Sequence, residues 1–137
     1  MSYLIDTNVL SELRRKAPDS RVVQWFASRP VNALYLSVLT LGEIRKGIEA
    51  MPKSARRLEL LDWLEIELPA FFEGRVLPVD AAVADKWGRL QAVVKRPLPA
   101  VDSLLAATAA HHGLIFVTRN VVDVKGLQVQ LINPWES

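Results

Sequence analysis

What most constrains this chain is a series of short apolar runs, each too brief for a helix, separated along 137 residues by stretches of helical periodicity. Tyr3-Leu4-Ile5 opens the series, and residues 33–36, 75–79, 114–118 and 129–132 continue it as candidate strands. Helical stretches are predicted over residues 9–15 and 21–28, from a Ser37 cap to about residue 50, over 56–68, from an Asp80 cap through Trp87 and Leu90, and over 101–112. Pro18 and Asp19 break the first helix, Pro52 ends the third, and Gly113 stops the last as a C-cap glycine. Strands alternating with helices predict an α/β fold, a three-layer sandwich whose mainly parallel central sheet is flanked by helices. No repeat or long linker interrupts the pattern, so residues 1–137 are expected to form a single domain.

Composition removes several function classes. Half of the residues are hydrophobic and 23% are charged, which suits a packed interior and not a disordered chain. Cysteine is absent, which excludes disulfides, thiolate zinc sites and a cysteine nucleophile. An acid at position 6 leaves no signal-peptide core, and no apolar run approaches the ~20 residues a membrane span needs. A cytoplasmic protein without membrane contact is expected. The net charge of +2 is too small to establish nucleic-acid binding. The cations are clustered, however, at Arg14-Arg15-Lys16, Arg45-Lys46, Arg56-Arg57 and Lys95-Arg96, and such clusters either track a phosphate backbone or form solvated helix faces.

In a parallel sheet of this kind, ligands bind beyond the carboxyl ends of the strands. Asp6 follows the first strand directly. Thr118 and Asn120 leave the run near residue 117, with Asp123 close behind, and Asp102 stands at the start of a helix that faces the same edge. Glu43 lies on the helix after the second strand, beside the apolar stripe of Leu41, Ile44 and Ile48, on a side shared with Leu39, Gly47 and Ala50. A half-buried acid there needs a partner. Converging carboxylates, without cysteine or an obvious histidine pair, point to a hard cation such as Mg²⁺ or Mn²⁺. Such an ion orients a phosphodiester, neutralises its charge and activates water.

Simpler roles exist for each residue. Asp6 and Asp102 could be N-caps, Asp123 a turn residue, and Glu43 a partner of Lys46. Asp80 is read as a cap. His111 and His112 complement a helix C-terminus, and Trp25, Trp63, Trp87 and Trp135 are read as core or interface. An aspartyl-phosphate phosphatase would want a second acid two residues after Asp6, where Asn8 stands. Metal-assisted phosphodiester cleavage does not require a 2′-hydroxyl, so DNA remains an alternative substrate to RNA.

Taken in order, the motifs carry a family resemblance. Leu4-Ile5-Asp6-Thr7-Asn8-Val9-Leu10-Ser11-Glu12 comes first. Leu36-Ser37, Thr40, Gly42-Glu43-Ile44-Arg45 and Gly47-Ile48 come second, and Asp102-Ser103-Leu104-Leu105-Ala106-Ala107-Thr108-Ala109 third. Val117-Thr118-Arg119-Asn120 with Asp123, and a closing Asn133-Pro134-Trp135-Glu136, complete the set. The chain resembles PIN-domain toxins of the VapC type, in particular the FitB-like branch, over nearly its whole length. The resemblance implies a Mg²⁺- or Mn²⁺-dependent endoribonuclease, a homodimer, that acts on RNA as the toxin of a toxin–antitoxin pair. It also implies a cognate antitoxin, VapB-like and DNA-binding, whose C-terminal segment reaches into the active site. On that pattern Asp6, Glu43, Asp102 and Asp123 are the catalytic and metal-holding acids, and Asn8, Thr118 and Asn120 the supporting polar residues. One departure is visible: Val124 follows Asp123 where an aromatic often stands.

Overall fold

The computed structural model describes residues 1–136. Five parallel strands form one sheet in the order β3-β2-β1-β4-β5: β1 (Tyr3–Ile5), β2 (Leu34–Ser37), β3 (Val76–Leu77), β4 (Ile115–Val117) and β5 (Leu131–Ile132). Side chains alternate across the strands, as a two-residue period requires. Tyr3, Ile5, Leu34, Leu36, Ile115 and Val117 enter one core, whereas Leu4 and Phe116 enter the other. Helices α1 (Thr7–Leu13), α2 (Ser20–Ala27) and α3 (Val38–Glu49) cover the first face through Val9, Val22, Trp25, Ile44 and Ile48. Helices α6 (Ala81–Val93) and α7 (Ala100–His112) cover the second, with Val83, Leu90, Leu105 and three buried alanines. The expected α/β sandwich with helices on both faces is present. No helix among the described residues is long and apolar enough to cross a membrane.

Element ends follow local chemistry. Asp6, Asp19, Ser37, Ser54 and Asp80 each cap a helix by accepting a backbone N–H. Gly113 ends α7 at φ 66°, in the left-handed region that glycine enters without a Cβ penalty. The second strand lies one residue later than predicted, behind a 3₁₀ turn at Val31–Ala33, and the third is only two residues long.

The helix predicted over 56–68 departs further from expectation. It runs as α4 (Ala55–Asp62), a π-helical turn (Trp63–Glu67) and α5 (Leu68–Phe71). Pro69 has no N–H for the carbonyl four residues back, and its ring crowds that carbonyl. The ladder widens before it, so that the Leu68 N–H reaches the Trp63 carbonyl. The wider turn keeps Trp63, Leu64, Leu68 and Phe72 in the core together.

The large apolar side chains of the N-terminal helices are mostly covered. Val22, Trp25 and Trp63 are buried and Phe26 and Leu61 pack against the core, while Leu58 stays 65% exposed and Val23 37%.

Candidate active site

The strand order places one position apart. From β1 the chain builds outward through β2 to β3, then returns to β4 on the other side of β1. The crevice beyond β1 and β4 is therefore the switch point at which open parallel sheets bind ligands. Asp6 leaves β1 there, its N–H still on the ladder with the Val117 carbonyl at 2.9 Å, and Thr118 leaves β4 beside it.

A cavity of about 500 Å³ opens at this point. Asp6, Glu43 and Asp102 supply its acids, with Asn8 and Asn120 among its polar lining. Asp6 is 3% exposed. Its carboxylate accepts from the Thr7 N–H at 2.7 Å, the Thr118 hydroxyl at 2.6 Å and the Asn8 amide at 3.2 Å. Thr118 Oγ1 in turn accepts from the Asn120 N–H at 3.0 Å and from the Asn8 amide at 3.4 Å. Asp6 is thus an N-cap and a member of the acidic group at once, the two readings that the sequence left apart. Asp102 lies in the first turn of α7, past the cap position, which Pro99 holds. Glu43 takes the Thr7 hydroxyl at 2.5 Å, and no ion pair joins it to Lys46 among the described residues.

The electrostatics divide the cavity. Burial pushes the Asp6 carboxyl up to about 6, against the Thr118 and Thr7 hydrogen bonds, with the charges of Asp102 and Glu43 adding to the rise. Asp102 is raised too, first by burial and then by Asp123 and Glu43. Glu12, in the same cavity, goes the other way. The Asp19 N–H at 2.9 Å and the Arg15 guanidinium at 3.2 Å hold it below the ordinary glutamate range, with a further hydrogen bond from Trp135. Among the described residues no lysine or arginine pairs with Asp6, Glu43 or Asp102. Their mutual repulsion is uncompensated by protein, and oxygen donors in that condition suit a hard cation. They do not form a closed cage, since no three acidic or histidine side chains among the described residues are grouped so as to hold an ion.

Asp123 stands apart from the other three. It sits on a 3₁₀ turn (Val122–Val124), does not line the cavity, and reaches the group only through its charge on Asp102. Arg96 holds that turn, donating to the carbonyls of Val122 and Asp123 at 3.4 Å and of Lys125 at 2.7 Å. Sequence reasoning missed Thr7, which links α1 to Glu43, and the ion-paired Glu12. It also missed Arg119 and Trp135, which line the cavity. Thr7 stands between two singled-out residues and enters the sequence reading only as part of their shared motif. Trp135 was read as core or interface and is buried, but it faces the cavity as well.

Comparison with known proteins agrees with this architecture. The chain is 37% identical over 136 residues to VapC ribonuclease Y4jK of Sinorhizobium fredii, covering 97% of each chain. It is 35% identical over 135 residues to Toxin FitB of Neisseria gonorrhoeae, covering 96% of this chain and 97% of that one. The solved structure of FitAcB from Neisseria gonorrhoeae superposes with a TM-score of 0.94 at 34% identity, covering 98% of this chain and 99% of that chain. Residues 3–121 match the PIN domain model, so this chain belongs to the PIN-domain family.

Proposed function

We propose that this protein is a Mg²⁺- or Mn²⁺-dependent endoribonuclease and the toxin of a toxin–antitoxin pair. The observation that carries the proposal is the set of three carboxylates, Asp6, Glu43 and Asp102, facing one switch-point cavity with no cation from the protein to neutralise them. Similarity to a protein named a ribonuclease and to another named a toxin supports the same reading. Asp6, Glu43 and Asp102 would surround the ion, one or two ligating it directly and the rest acting through its waters, with Asp123 adding charge through Asp102. An open arrangement fits Mg²⁺, which commonly keeps several waters and takes only one or two carboxylates. A bound divalent ion would supply Lewis acidity and a more acidic water. Thr118, Asn8 and the Thr7 N–H fix the Asp6 carboxylate, and the Asn120 N–H in turn orients Thr118.

The reading includes a cytoplasmic homodimer restrained by a VapB-like, DNA-binding antitoxin, with a cationic segment of that partner meeting the acids. The central test is cleavage. Purified protein should cut single-stranded RNA with Mg²⁺ or Mn²⁺ and stop in EDTA. Cutting that survives thorough chelation removes the metal, and preferential cutting of single-stranded DNA replaces the substrate. Light scattering checks the dimer. Growth rescue by the neighbouring small gene checks the antitoxin.

A further inference from the structure

The two arginines at the cavity are in different conditions. Arg15 is committed to Glu12, at 3.2 Å. Arg119 has no carboxylate within ion-pair distance among the described residues, and its side chain is exposed. An unpaired surface arginine is normally free to move, but this one is held. Its guanidinium carbon lies 5.0 Å from the centroid of the Trp135 ring. Trp135 is itself buried, and its backbone N–H donates to Asn133 Oδ1 at 3.0 Å. On the backbone side the Arg119 N–H points to Asn8 Oδ1 at 3.4 Å, and the preceding residue, Thr118, bonds Asp6. Among the described residues, a cation without an ion-pair partner is therefore anchored at both ends beside a group of acids that no lysine or arginine pairs.

We infer that Arg119 is a substrate-binding residue that takes a phosphate of the RNA strand next to the one positioned at Asp6, Glu43 and Asp102; this rests on the ribonuclease reading above. The guanidinium lies over the Trp135 ring and Arg119 lines the cavity, where a phosphate would be met by charge-assisted hydrogen bonds. Preorganisation by the ring lowers the ordering cost of the contact. Trp135 itself is 7% exposed, too covered to stack on a base, so its part is to hold Arg119.

The test is binding of a short mixed-sequence single-stranded RNA, by fluorescence anisotropy in Mg²⁺ across a salt series. It uses the full chain in an Asp6→Asn background to keep the RNA intact. Arg119→Ala should weaken binding about tenfold and flatten the slope of log affinity against log salt by about 0.7. Arg119→Lys should restore the slope and only part of the affinity. Arg15→Ala should cost less than Arg119→Ala, because Arg15 already has Glu12. Unchanged affinity and slope in Arg119→Ala overturn the inference. If the otherwise wild-type chain fails to cleave while the Arg119→Ala effect persists, the contact stands and the ribonuclease reading falls.

Discussion

The β1–α1 and β3–α6 junctions are built alike: an apolar strand ends, an aspartate caps the following helix, and the chain turns back along the sheet. Asp6 accepts the Thr7 N–H at 2.7 Å and Asp80 the Val83 N–H at 2.9 Å. Their surroundings differ. β1 is the central strand, so Asp6 also meets Thr118 from β4 and feels Glu43 and Asp102 from two helices. β3 is an edge strand, and Asp80 remains exposed on the rim of the fold. The comparison teaches that a cap is a local device, whereas a site is made where the strand order brings several caps and helix starts together.

The largest effect expected from breaking that contrast is on catalysis. Asp6→Asn should lower metal-dependent RNA cleavage about 10²-fold or more, while Asn still caps α1 and the fold persists. Asp80→Asn should leave the rate alone. Folded Asp6→Asn protein cutting RNA at a near-normal rate would erase the distinction between the two junctions.

Stability sharpens the comparison next. The folded-state value of Asp6, about 6, lies above the ordinary 3.8. Its contribution to stability is therefore full below about pH 4 and is lost as pH rises through 6. In metal-free protein, Asp6→Asn should stabilise by up to about 3 kcal/mol at pH 8, and the gain should fade toward pH 4. Urea midpoints at the two pH values in EDTA measure it; a gain that is equal at both would assign it to packing instead of charge. The smallest effect belongs to Asp80→Ala, which should cost about 1 kcal/mol of stability through the lost cap and nothing in cleavage. A drop in rate there would mean that the edge junction reaches the site after all.

The same contrast explains what the sequence alone could reveal. Strand–helix alternation, the caps and Gly113 are local, and each is written in neighbouring residues. Asp6, Glu43 and Asp102 line one cavity, as chain direction in an alternating fold leads one to expect. The Thr7–Glu43 hydrogen bond, the Glu12–Asp19 contact and the Arg119–Trp135 stack join elements whose relative placement no local pattern encodes. Asp123 shows the converse: its place on the 3₁₀ turn at Val122–Val124, acting on Asp102 through its charge, is not specified by its proximity in sequence to Thr118. The π-helical turn needed two facts together, a proline at 69 and a core that required Phe72, and only the first is visible without the fold.

Helix α7 is packed between the sheet and its neighbouring helix partly through side chains that scarcely extend beyond its backbone: Ala106, Ala107 and Ala109 are fully buried. That makes it a lever with a close fulcrum. Asp102 rides on the N-terminal arm, about 10 Å along the axis from Ala109 at the helical rise. A methyl group can be accommodated at those contacts and an isopropyl group cannot without lifting the rod, because a close-packed layer has little give. Any tilt is delivered to the carboxylate at the far end, in a site where an ångström of misplacement is costly to rate. The alanines thus act as a gauge block for the acid, setting its position from a distance, so bulk placed well away from the cavity should displace Asp102.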